Sequence, residues 1–105
     1  MNQSLHIEEV LEQKGVYVST TAGVSMYPLL RHRKDTIVIR SVEGRLKKYD
    51  IPLYKRGEDY VLHRIVKVNP DNYVICGDNC VTLEYIPCEN VLGVLSGFYR
   101  DGHRI

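Results

Sequence analysis

Ser25, His63 and Asp78 are of the three residue types that together perform nucleophilic acyl transfer. A serine hydroxyl is a weak nucleophile at neutral pH. It needs a base within hydrogen-bond reach, and the base gains from a third group that fixes its tautomer. Ser25 lies in "AGVSMYPLL", with Gly23 two residues before it and Pro28 three residues after it. Flanks of that kind favour a bend over a regular element. The serine is therefore either an ordinary turn residue or a nucleophile presented on a bend. Residue types alone do not decide, because most globular domains contain all three.

The elements that must position these residues are mostly strands. Residues 4–14 read as a helix, with Ser4 as its cap, Glu8 and Glu9 in its first turns and Gly15 closing it. Its apolar side is Leu5, Val10 and Leu11, with Ile7 off that face. "VYVSTT" and "DTIVIR" follow as strands, then "DIPLYKR", where Pro52 predicts an edge strand or a bulge. "GED" reads as a hairpin turn leading into "YVLHRIVKV", the longest strand candidate. "NPDN" is a turn, "YVIC" a strand, "GDN" a second turn, and "NVLGVLSGFYR" a closing strand with glycine breaks. Short strands at intervals of roughly ten residues suggest a small barrel or sandwich. Alternation along "YVLHRIVKV" puts His63 on one face with Val61, Ile65 and Lys67. An imidazole in such company needs hydrogen-bond partners. The hairpin through "NPDN" brings "GDN", and so Asp78, back towards His63, in a register that a one-residue slip would change.

The flanks of these residues carry a family resemblance. "GVSMYP" resembles the nucleophile motif of type I signal peptidases, in which serine is followed by methionine, a variable residue and proline. "YDIPLYKR" resembles their next segment, usually a Gly-Asp pair leading into an apolar strand. "YVLHRIV" resembles their general-base segment. The bacterial membrane enzymes carry lysine there, whereas the endoplasmic-reticulum type and sporulation-related enzymes carry histidine, as "HRI". "ICGDN" resembles the Gly-Asp-Asn segment near the end of that catalytic core. The four segments stand in the family's order over roughly residues 16–98. The chain thus resembles the S24/S26 serine peptidase superfamily, nearer its Ser-His branch.

That resemblance implies a mostly β fold, a coiled small β-barrel of the LexA/signal peptidase type with a short N-terminal helix. It implies Ser25 as the acyl-enzyme nucleophile and His63 as the base that later protonates the leaving amine. Asp78 would orient His63, and the Ser25 backbone N–H would serve the oxyanion hole. Relatives often place a serine hydroxyl two residues before the nucleophile, where this chain has Gly23. Met26 and Pro28 would shape the bend and the substrate groove. Glu84, six residues after Asp78, stands near the place of a second acid. Tyr49 replaces the usual glycine before Asp50, and Pro52 a usual apolar strand residue. No metal and no cofactor is implied.

Composition bounds the rest. The 105 residues fit one domain, with 1–15 as the N-terminal helix and 16–105 as the β core. A net charge of +1 argues against a strong electrostatic claim on nucleic acid. Cys76, Cys80 and Cys88, an odd count, fit reduced thiols, and their spacings match structural zinc sites poorly. His6, His32 and His103 stand in no motif. No apolar run reaches about 18 residues, and "MNQSLHIEEVLEQKG" is too polar and acidic for a secretory signal. The expected location is the cytoplasm, with peripheral membrane association open. The expected function is a serine endopeptidase that cleaves a peptide or leader, with a peptide or protein as substrate and a membrane or maturation partner open. The alternative is a catalytically inactive peptide-binding module on the same fold. A self-cleaving regulator of the repressor type ranks last, since it would carry a lysine base and a DNA-binding helical domain.

Overall fold

The hydrophobic period changes at Gly15, and the backbone changes with it. The computed structural model describes residues 7–20, 35–57, 59–100 and 103–104. Helix α1, Ile7–Lys14, carries Glu8 and Glu9 in its first turn and Lys14 in its last, each favourable against the helix dipole. Gly15, at φ +74°, ends it by donating its N–H to the Leu11 carbonyl at 2.8 Å. The apolar side differs from the sequence reading. Ile7 and Leu11, one turn apart, both pack on the core. Ser4 and Leu5 lie outside the described residues.

Nine strands follow among the described residues: β1 Val16–Thr20, β2 Asp35–Arg40, β3 Pro52–Arg56, β4 Asp59–Leu62, β5 Arg64–Val68, β6 Asn72–Cys76, β7 Glu84–Pro87, β8 Val91–Arg100 and β9 His103–Arg104. A single 3₁₀ turn, Cys88–Asn90, joins β7 to β8. All pairings are antiparallel. One sheet runs β1-β2-β8-β3-β4, with β9 added to β8, and the other runs β5-β6-β7. The fold is therefore mostly β with one short helix. Among the described residues it is two sheets and not a closed barrel. No helix among them is long and apolar enough to cross a membrane.

The expected long strand over 60–68 divides at His63. Its first half, β4, pairs with β3 in the larger sheet, and its second half, β5, pairs with β6 in the smaller one. Pro52 accounts for the division. The β3–β4 ladder ends at Leu53 opposite Leu62, so His63 would come next, opposite Pro52. The Ile51 carbonyl accepts from Leu95 N on the β8 side. Alternation then turns position 52 towards β4, where proline has no N–H to give. Pro52 does not mark an edge strand, because β3 lies between β8 and β4. It is instead the first residue of an interior strand, with a bulge beside it at Leu53/Tyr54, which proline tolerates.

Two cores lie on opposite faces of the β3–β4 hairpin. Leu53 joins Leu11, Ile37, Ile39, Ile51 and Phe98 under the helix. Tyr54 and Val61 join Leu46, Ile65, Tyr73 and Ile75 between the sheets. Residues 47–51 tie the sheets together. Tyr49 N donates to the Ile65 carbonyl and Ile65 N to the Asp50 carbonyl, both at 2.8 Å, while Ile51 serves β8. Asp35, fully buried at the start of β2, accepts both Nε and Nη2 of Arg100, its cross-strand partner on β8, at 2.8 and 2.9 Å.

Candidate active site

His63 sits where the chain passes from one sheet to the other and is 8% exposed. The "GED" turn sets what stands beside it. Gly57, at φ +60°, lets β3 fold back on β4 with Arg56 opposite Asp59 and Tyr54 opposite Val61. Tyr54, Val61 and His63 therefore share one face of the hairpin. The Tyr54 hydroxyl lies 3.2 Å from His63 Nδ1, and the two rings meet edge to face with centroids 6.2 Å apart.

The third member comes from the other sheet. Glu84 opens β7 opposite Ile75, and Ile75 stands opposite Ile65. Directly opposed residues share a face, so Glu84 points towards the inter-sheet core that holds Ile65 and Ile75. There the Tyr54 hydroxyl donates to Glu84 Oε1 at 2.6 Å. Arg56 grips the same carboxylate with two of its nitrogens, Nε donating to Oε2 at 3.0 Å and Nη2 to Oε1. Glu84 Oε1 is 3.8 Å from His63 Nδ1. A chain of contacts thus runs from Arg56 through Glu84 and Tyr54 to His63. No buried side-chain nitrogen or oxygen among the described residues lacks a partner, which is what a polar cluster at the rim of an apolar core requires.

The charges follow from these contacts. The Arg56 hydrogen bonds hold the Glu84 carboxyl below its ordinary range, so it is ionised at neutral pH. Burial pushes the Tyr54 phenol well above its ordinary value, and its bond to Glu84 adds to the shift. Burial also lowers the imidazole of His63. The nearby charges of Glu84 and Asp78 act the other way, and Arg56 reinforces the lowering. The result is a neutral imidazole at pH 7, which is the state a general base needs.

Asp78 is on the turn expected for it. Arg64 stands opposite Cys76, and Cys80 N closes the "GDN" turn on the Gly77 carbonyl at 3.0 Å. The hairpin does bring this turn to the start of β5. Its carboxylate faces Arg64, the residue after His63, and takes Nε and Nη2 in a paired grip at 2.7 Å each. Arg64 Nη1 reaches on to the Tyr49 carbonyl at 3.1 Å. Asp78 therefore fastens three chain segments around His63 and contributes charge to it, while Glu84 makes the closer approach. Ser25, Gly23, Met26 and Pro28 lie outside the described residues.

Tyr54 and Arg56 are the site residues that sequence reasoning missed. The signal was present in the "GED" turn: a two-residue hairpin loop there fixes Tyr54 on the face of His63. Tyr49 is unusual in its backbone. It occupies the third position of the turn 47–50, which Asp50 N closes on the Lys47 carbonyl at 3.0 Å, and its φ is +79°. A positive φ at that position is normally a glycine's. Among the described residues no group of three His, Cys, Asp or Glu side chains could hold a metal ion. No protein-family model matches this chain, and no curated protein is significantly similar to it.

Proposed function

We propose that the protein is a serine endopeptidase related to signal peptidases of the Ser-His branch, with Ser25 as nucleophile and His63 as base. The observation that carries this reading is the setting of His63. It is a buried, neutral imidazole with one ring nitrogen engaged by a hydroxyl, in a segment whose sequence resembles the family's base motif. The glycine-like backbone of Tyr49 supports the resemblance independently of the catalytic residues, because it is a demand of the fold at a matched position. The turn at Asp78, in the expected register beside His63, supports it again.

In this mechanism the Ser25 hydroxyl proton passes to His63 as oxygen attacks the scissile carbonyl. The imidazolium then gives that proton to the leaving amine, and water repeats the cycle on the acyl-enzyme. Glu84 and Asp78 both offset the positive charge that His63 carries between those steps. The substrate is an extended peptide or leader, added as a strand.

A fluorophosphonate probe tests the nucleophile. It should label the wild-type protein at one site and fail to label Ser25→Ala. Equal labelling of both proteins would end the assignment. The second reading, a peptide-binding module without catalysis, is favoured by one feature. Val81, Leu83 and Tyr85 are 96%, 50% and 65% exposed, and they alternate along the segment that becomes edge strand β7. Peptide binding without probe labelling would select that reading.

A further inference from the structure

Three heavy atoms, His63 Nδ1, Tyr54 Oη and Glu84 Oε1, form a triangle with sides of 3.2, 2.6 and 3.8 Å and leave little freedom for their protons. Tyr54 Oη is 2.6 Å from an ionised carboxylate oxygen. A phenol has one proton, and at that distance it must point at the carboxylate, since two oxygens facing each other with lone pairs would repel. The phenol oxygen then has only lone pairs to offer His63 Nδ1 at 3.2 Å. If Nδ1 were unprotonated, two acceptors would face each other at that distance beside a buried core. The proton must therefore sit on Nδ1.

We propose that Tyr54 fixes the tautomer of His63, accepting the Nδ1 proton on its hydroxyl oxygen while its own proton is committed to Glu84, so that Nε2 is the basic nitrogen. Tyr54 is a positioning residue. It acts on the reaction through His63, in the place where a carboxylate would ordinarily touch the imidazole directly. Arg56 belongs to the same device, because its grip keeps Glu84 ionised and the Tyr54 proton directed at Glu84 and not at His63. The catalytic meaning of this arrangement rests on the peptidase reading. The proton taken from Ser25 adds to Nε2, the Nδ1–H bond to Tyr54 persists, and the imidazolium faces Glu84 Oε1 at 3.8 Å. Return of the Nε2 proton to the leaving amine restores the starting tautomer with no net proton change. The groups whose charges bear on the ring are Glu84, Arg56 and Asp78.

Imidazole nitrogen NMR of the full chain, uniformly labelled with ¹⁵N and recorded near pH 8, reads the tautomer directly. The wild-type protein should show His63 with a protonated Nδ1, a pyridine-like Nε2, and a proximity signal from the Nδ1 proton to the Tyr54 ring. Tyr54→Phe keeps the ring and removes only the oxygen, so it should shift His63 towards the Nε2–H form. It should also slow fluorophosphonate labelling by about 10- to 100-fold, at most the low end of what base catalysis contributes, since the base itself is kept. A wild-type His63 protonated on Nε2, or an unchanged Nδ1–H tautomer in folded Tyr54→Phe, would overturn the proposal. The wild-type spectrum decides by itself if the variant does not fold: the proximity signal supports the assignment, and its absence refutes it. None of these spectra involves Ser25, so persistent labelling of Ser25→Ala would remove the peptidase reading while leaving the tautomer result intact.

Discussion

Glu84 Oε1 stands 3.8 Å from His63 Nδ1, and the Tyr54 hydroxyl hydrogen-bonds to the one and contacts the other. At that separation the carboxylate acts on the imidazole through its field and through the phenol, not through a bond of its own. Arg56, on the far side of the carboxylate, acts with the opposite sign. Two substitutions should therefore move the titration of His63 in opposite directions. Glu84→Gln removes a negative neighbour and lowers the imidazole pKa further. Arg56→Gln removes a positive neighbour and raises it. Proton chemical shifts of the His63 ring across pH 4–8 measure both. The Arg56 side chain is 55% exposed, so the contrast should narrow in about 0.5 M salt. Shifts of the same sign in both variants would show that the pair does not act on His63 through charge.

The depressed pKa of His63 fixes the sense of the pH dependence. Its largest cause is burial, which disfavours the imidazolium in the folded chain. The unfolded chain, with an ordinary histidine near 6.5, binds the proton more readily. The contribution of this group to stability is therefore complete above pH about 6.5 and is lost as pH falls through the folded value below it. Urea denaturation at a series of pH values should show that loss, and His63→Gln should flatten the part of the slope that belongs to this residue. Probe labelling should rise with pH through a midpoint below 6.5. A midpoint above 6.5 would mean that favourable partners outweigh burial.

How far the sequence spoke for this site depends on how local each signal was. Hairpins governed by turn residues were legible. "GED", "NPDN" and "GDN" each stand where the composition put them, and β2 has its expected bounds. The face shared by Val61, His63 and Ile65 was also legible, because all three are buried. The break at His63 was not, since its cause is Pro52, eleven residues earlier and on another strand. Sequence spacing gives Glu84 only a distance along the chain from Asp78. Its role comes instead from pairing with Ile75 in the second sheet, and no local pattern announces that pairing. The local pattern of Leu5, Val10 and Leu11 leaves Ile7 off the apolar side. The docked helix uses the one-turn pair Ile7 and Leu11, held by Ser41, whose hydroxyl donates to the Leu11 carbonyl at 3.0 Å.

Tyr49 offers a test of the fold that does not touch the His63 cluster. A left-handed backbone costs a residue with a Cβ about 1–2 kcal/mol, and the Tyr49 side chain is mostly exposed, with the Lys48 ammonium 5.1 Å from its ring centre. Tyr49→Gly relieves that strain, against the greater chain entropy of glycine at about 0.5–1 kcal/mol and a weak cation–π contact. The variant should be as stable as the wild type or slightly more so. Tyr49→Val keeps the strain and adds a β-branch, so it should lose about 1–2 kcal/mol. Urea midpoints of the two variants compare them directly. Equal stabilities would show that the turn does not demand a glycine-like backbone.

Gly93 is the close contact between β8, β2 and the helix. A Cβ built there would lie 2.7 Å from Ile39 Cγ2, 3.0 Å from the Arg40 carbonyl oxygen and 3.1 Å from Leu11 Cδ1. The Leu11 methyl can yield, but the carbonyl belongs to the neighbouring strand and Ile39 is fully buried. Overpacking of this kind typically costs about 1–3 kcal/mol, which outweighs the smaller entropic gain from replacing glycine in a strand. Gly93→Ala should therefore lower Tm by several degrees, since about 1 kcal/mol corresponds to roughly 4–8 °C in a domain of this size. Gly44→Ala is the informative control, because its Cβ meets nothing within 4 Å and only its φ of +73° resists the change. Gly93→Ala should also weaken the docking of α1, seen as faster amide exchange at Leu11 than in the Gly44 variant. A Gly93→Ala protein with unaltered Tm and exchange would mean that β8 can move away from β2 without loss, contrary to the packing of Ile39 and Leu11 against it.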